Sequence, residues 1–206
     1  NFKQTLVGFA RALEESDRYT RGHSERVSIY SEVLAKGMGM APADVEKVRQ
    51  SGLMHDIGKI GMPDHILLKP GKLSEEEMVV MKTHSEKGRE MIDDLLVSFG
   101  LENVAHVDIL RNIASYHHES VNGCGYPDNR SGEDIPLEAR IVAVADVFDA
   151  LTSRRSYKEA WSNEEAFATL QQLAGDKLDQ DCVDALLAHQ AEIKEIQRRF
   201  RENTRG

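Results

Sequence analysis

The chain has 206 residues, with 26 Lys and Arg against 35 Asp and Glu, a formal net charge of −9 and eight histidines. That acidic balance argues against binding along duplex nucleic acid, which needs surplus lysine and arginine to displace counterions. Cys124 and Cys182 lie far apart and outside any C-x-x-C spacing, which argues against a disulfide framework or a thiolate zinc site and for a reducing, cytoplasmic compartment.

In chain order, Phe2, Leu6, Phe9, Ala10 and Leu13 form a first apolar stripe at helical spacing. Val27, Tyr30, Val33 and Leu34 form a second, which Gly37 and Gly39 end. Pro42 is placed as a first-turn proline of a helix that buries Val45, Val48 and Leu53 and runs directly into His55 and Asp56. Gly61, Pro63, Pro70 and Gly71 mark residues 60–71 as a loop. Ser74 and Glu77 then make a capping box for a helix leading towards His84. A further helix covers about 104–116, residues 122–135 are a glycine-rich loop, and Pro136 starts a helix with Ile141, Val144, Ala145 and Phe148. Ser162 with Glu165 is a second capping box, and a more charged helix closes the chain over about 181–199. No alternating β-branched runs suggest a sheet. The expectation is one all-α domain over 1–206, a helical bundle of seven to nine helices with one glycine-rich excursion. No apolar run reaches the roughly 18 residues of a membrane span, no signal peptide precedes the first stripe, and the start at Asn1 points to a fragment of a longer protein.

His23, His55, His84, His117 and His118 all fall near ends of predicted helices, and Asp56 and Asp146 accompany them. Any one of these is ordinary. Together they make a mixed nitrogen and oxygen donor set suited to Mn or Fe. One carboxylate can bridge two cations, and His55-Asp56 can supply a terminal ligand and that bridge from adjacent positions. Because the residues are spread along the chain, they would have to converge from several helices into the bundle core.

His55-Asp56-Ile57-Gly58-Lys59 resembles the central motif of the HD superfamily of metal-dependent phosphohydrolases, and residues 117–127, His117-His118-Glu119 through Gly125-Tyr126-Pro127, resemble the HHE…GYP signature of its HD-GYP subfamily. The stretches 17–24, His84-Ser85-x-x-Gly88 and 145–153 agree in order and spacing, so the likeness covers about 5–190. The resemblance implies an HD-domain helical bundle and a cyclic dinucleotide phosphodiesterase that opens cyclic di-GMP to pGpG and often continues to GMP. It also implies a binuclear site with a bridging hydroxide, held by His23, His55, Asp56, His84, His117, His118 and Asp146. A charged phosphodiester repels nucleophiles; two cations acidify a water, orient the phosphate and stabilise attacking and leaving oxygens. Lys59, four residues after His55 and on the same face if the helix continues, is placed on a phosphate oxygen or the leaving group. Tyr126 offers a flat face with a hydroxyl to substrate, or else tightens a turn, while Gly123 and Gly125 allow positive φ or a close ligand approach. Arg155 and Lys158 match positions that grip a second phosphate or a guanine edge, whereas Arg154 reads as surface. His65, His106 and His189 match no ligand position and read as structural.

The sequence also departs from the family pattern. Asn122 stands where Asp is common, Arg154 and Ser156 replace the usual Asp and Pro before Tyr157, and 178–180 match only in part. Tyr19, one turn before His23, occupies the position of the Glu found in members with three metals; two divalent ions, Fe or Mn, are therefore expected, with pGpG favoured as product. Two other readings stay open: a signalling module that binds a GGDEF-domain protein through the GYP loop, and an HD phosphohydrolase with another nucleotide substrate. No residue separates cyclic di-GMP from cyclic GMP-AMP, and residues 1–16 are read as a linker or homodimer helix.

Overall fold

The computed structural model describes residues 2–16, 22–154 and 159–203. Among them are eleven α-helices and no strand, with only two isolated β-bridges, in keeping with the all-α expectation. Helices α1 (Phe2–Ser16), α2 (His23–Gly37) and α3 (Pro42–Gly52) come first; a 3-10 turn (Ile57–Gly61) and the one-turn α4 (Asp64–Leu67) follow. Then come α5 (Glu75–Lys82), α6 (His84–Ser98), α7 (Val107–Tyr116), α8 (Leu137–Thr152), α9 (Asn163–Leu173), α10 (Gln180–Ala188) and α11 (Gln190–Asn203). None is long and apolar enough to cross a membrane.

The count exceeds seven to nine because three stretches are subdivided. The expected loop holds α4, the segment towards His84 divides at Thr83 into α5 and α6, and the closing helix breaks at His189. Both capping boxes form, with the Ser74 and Ser162 hydroxyls accepting from the Glu77 and Glu165 amides and each glutamate reaching back.

Helix α2 is central, packing against α3, α8, α10 and α11. Its Val27, Tyr30 and Leu34 are fully buried against Ile141, Val144 and Phe148 of α8, and the Tyr30 and Phe148 rings meet edge to face at 5.3 Å. Each such side chain contributes roughly 1.5–3 kcal/mol from burial. A second cluster, Leu53, Met54, Ile57, Ile92, Leu96, Leu110 and Ala114, joins the end of α3 to α6 and α7, with Ala10 of α1 buried in it. The two clusters flank the segments that carry the histidines.

Asp179 caps α10, accepting from the Cys182 amide at 2.9 Å and from Arg140 at 2.7 Å. Burial opposes its ionisation, but the Cys182 N–H and Arg140 outweigh it and hold the carboxyl below its ordinary range. A folded pKa below the unfolded one stabilises above the unfolded value and is lost as pH falls through the folded one. Asp179→Ala is therefore expected to cost about 1–2 kcal/mol in urea unfolding at pH 7. That cost persists down to about pH 4 and shrinks below it.

Candidate active site

Five chain segments converge. His23 begins α2, His55 and Asp56 follow α3, His84 begins α6, His117 and His118 follow α7, and Asp146 lies within α8. The expected continuation of α3 through His55 to Lys59 does not occur: the helix ends at Gly52, and the chain tightens into the 3-10 turn beginning at Ile57. That turn aims Asp56 into the centre and brings Lys59 Nζ within 2.8 Å of Asp56 Oδ2, in place of a shared helix face with His55.

The two oxygens of Asp56 look to different imidazoles. Oδ2 lies 3.4 Å from His55 Nε2 and 4.0 Å from His23 Nε2, whereas Oδ1 lies 3.4 Å from both His84 Nε2 and His117 Nε2. Asp146 Oδ1 lies 3.2 Å from His23 Nε2 and 3.8 Å from His55 Nε2. Donor atoms of Asp56, His84, His117 and His118 fall within 4.8 Å of one another, as do those of His23, His55 and Asp56, and those of His55, His117 and Asp146.

The other ring nitrogens are committed. Nδ1 of His55, His84 and His117 lies 2.7–2.8 Å from the carbonyls of Gly52, Met81 and Ile113. A carbonyl only accepts, so each Nδ1 carries a proton and each Nε2 points inward, its lone pair open to a cation once that nitrogen is deprotonated. Nε2 of His55, His84 and His117 and Oδ1 of Asp56 are buried without any hydrogen-bond partner. Native interiors rarely leave such atoms unpaired, and inward lone pairs beside two carboxylates are what a cation needs.

The electrostatics agree. Burial alone would raise Asp56, but Lys59, His55 and His117 outweigh it and hold the carboxyl well below its ordinary range; His23 and His55 do the same for Asp146. Burial pushes His117 and His118 down, aided by neighbouring imidazoles. Burial also opposes protonation of His23 and His55, but the facing carboxylates prevail and raise both, so cation binding there expels protons.

Other expected residues sort differently. Tyr126 stacks on His118, centroids 4.8 Å apart and planes at 19°, with Lys82 Nζ 5.3 Å from its ring. Gly123 takes φ +80, and Gly125 makes its close approach to the chain itself, since a Cβ there would meet Ser120 N at 2.3 Å. Asn122 bonds Asp176 and the Cys124 amide, which keeps it within the loop fabric. Arg154 is exposed and pairs with Glu159. His65 is exposed, His106 pairs with Asp44, and His189 bonds the Ala185 carbonyl, all outside the cluster. Arg155, Ser156, Tyr157, Lys158 and Tyr19 lie outside the described residues.

Two buried acids carry roles that the sequence reading missed. Asp149 Oδ2 meets His23 Nδ1 at 2.7 Å, and Arg26 grips Asp149 from the far side with Nε at 2.6 Å from Oδ1. Its signal was position: three residues after Asp146 in a helix, it shares that residue's side of α8. Glu119, beside the histidine pair, accepts from the Asp128 and Arg130 amides and folds the loop back over His118. Asp149→Asn removes the charge that orients His23, and is expected to weaken metal binding about 10- to 100-fold in a chelator competition titration.

A family model described as HD domain matches residues 9–182. The chain belongs to the HD-domain family. Its 117–127 signature makes it an HD domain of the HD-GYP type. It is 45% identical over 194 residues to the cyclic di-GMP phosphodiesterase response regulator RpfG of Xanthomonas campestris, covering 94% of this chain and 50% of that one. It is 37% identical over 187 residues to the 3'3'-cGAMP-specific phosphodiesterase 2 of Vibrio cholerae, covering 91% of this chain and 34% of that one. This HD domain thus spans half or less of the length of these curated relatives. Among solved structures, an HDGYP protein of Bdellovibrio bacteriovorus, Bd1817, superposes with a TM-score of 0.64 at 20% identity, covering 89% of this chain and 60% of that one. That likeness speaks to the fold.

Proposed function

We propose that this HD domain hydrolyses cyclic di-GMP to linear pGpG, using two divalent cations, Mn or Fe. The observation that carries the reading is Asp56, whose Oδ1 and Oδ2 face separate imidazole sets as a bridging carboxylate must. His23 and His55, with Asp146 close to both, would hold one ion, and His84, His117 and His118 the other, with Asp56 shared. When bound, such ions supply Lewis acidity at the phosphate and a water acidified enough to attack it.

The chain's own groups supply the rest. The main-chain carbonyls of Gly52, Met81 and Ile113 fix three ligand rings, so that little reorganisation accompanies reaction. Lys59, a quarter exposed, keeps Asp56 ionised and is proposed to meet a phosphate oxygen, as its place in the motif implies. Tyr126 covers His118 on the loop side. Attack at phosphorus breaks one P–O3′ bond, leaving a 5′-phosphate and a free 3′-hydroxyl. Arg155 and Lys158 are proposed to grip the second phosphate, as their motif positions imply.

The names of both relatives support a cyclic dinucleotide, and they differ in the base. The test is anaerobic incubation of Mn- or Fe-loaded protein with cyclic di-GMP and, separately, 3'3'-cGAMP, with products separated by chromatography. Accumulation of pGpG with slower loss of 3'3'-cGAMP is expected. No turnover of either compound overturns the proposal, and preference for 3'3'-cGAMP reassigns the substrate.

A further inference from the structure

Three of the ligand rings are oriented locally. His55, His84 and His117 each bond a carbonyl only three or four residues back along the chain. His23 is held by remote groups. Its ring meets Asp149 of α8. Its backbone depends on α1.

The N-cap of α2 is Gly22, which has no side chain with which to cap the helix. The first amides of a helix lack intrahelical acceptors and normally take a side-chain oxygen from the N-cap residue. Here Glu14 of α1 serves instead: its Oε2 accepts the Gly22 N–H at 2.8 Å and its Oε1 the Ser24 N–H at 2.7 Å. Both oxygens are thereby committed to the amides on either side of His23. Helix α1 is itself seated by Ala10, buried against the cluster of Leu53, Met54 and Ile57 next to Asp56.

We infer that Glu14 is a positioning residue for His23, making one of the two proposed ions dependent on the docking of α1. The ion among His23, His55 and Asp56 should feel any displacement of α1. Loss of the Glu14 contacts alone should spare the ion among Asp56, His84, His117 and His118, because its imidazoles hang on α6 and α7. The N-terminal helix thus becomes a mechanical input to half of the metal centre. The inference rests on the two-ion reading above.

The test is anaerobic titration of the full chain with Co(II), followed by visible absorption and by bound-metal analysis, after circular dichroism confirms folding. Wild type is expected to take two equivalents. Glu14→Ala should weaken one of them about 10- to 100-fold and leave the other unchanged. Glu14→Gln, which keeps one accepting oxygen, should fall between, and it carries the test if Glu14→Ala does not fold. In a His23→Ala background, Glu14→Ala should have no further effect, since it acts through that ring. Equal weakening of both ions, no weakening of either, or a further loss in the His23→Ala background overturns the inference. Uptake of a single equivalent by wild type overturns the two-ion reading instead; the role of Glu14 then stands only if Glu14→Ala and His23→Ala weaken that ion alike.

Discussion

Replacing Gly58 with alanine is expected to destabilise the protein by about 3 kcal/mol or more and to strip it of metal. Gly58 lies in the 3-10 turn after Asp56, against the start of α6. A Cβ there would meet the carbonyl oxygen of His84 at 1.8 Å and the amide nitrogen of Gly88 at 2.5 Å. Both are backbone atoms, so no rotamer change relieves the overlap, and α6 must move as a body. That movement carries His84 Nε2 away from Asp56 Oδ1, now 3.4 Å distant. A steric clash in the turn is thereby converted into the loss of a ligand pair. The comparison is Gly8→Ala in α1, where nothing lies within 4 Å of the new methyl; stability there should be unchanged or rise by about 0.5–1 kcal/mol. Urea unfolding midpoints and bound-metal analysis of the two variants check both.

Asp56→Ala is expected to abolish turnover of cyclic di-GMP, with a fall of at least ~10³-fold, the scale seen when a central catalytic group is removed. The carboxylate is shared by both ligand groups and faces Lys59 as well, so its loss affects both ion positions and the orientation of the lysine together. Asp146→Ala acts mainly on the His23 and His55 side, where its closest imidazole nitrogens lie, and should cost less. The helical circular dichroism of Asp56→Ala should match that of wild type. Wild-type rates for Asp56→Ala, measured with metal-loaded protein, would sink the assignment.

Much of this was legible from residue order. Apolar stripes at helical spacing gave Val27, Tyr30 and Leu34 as a buried face because only one side of α2 meets the core. The capping boxes at Ser74 and Ser162 were readable because their chemistry is complete within four residues. The seven candidate ligands were named from motif order, and the structure gathers them. What could not be read depends on partners far along the chain. The helix periodicity ahead of His55 gave no sign that α3 stops at Gly52, since the turn is imposed by the close approach of Gly58 to α6. Nor did the neighbours of Glu14 or Asp149 reveal that one braces the backbone of His23 and the other its ring.

The inward lone pairs of the site also bear on how much protein persists. His55, His84 and His117 Nε2 and Asp56 Oδ1 are withdrawn from water with no protein partner, an arrangement worth about 1–3 kcal/mol of instability per group. Ions that bind only the folded chain return that energy by mass action, adding about 4 kcal/mol when free metal exceeds its dissociation constant a thousandfold. Metal supply would then govern a turnover of a different kind, the half-life of the polypeptide. Scarcity would enlarge the unfolded fraction exposed to proteases, so the quantity of the protein would track cation availability.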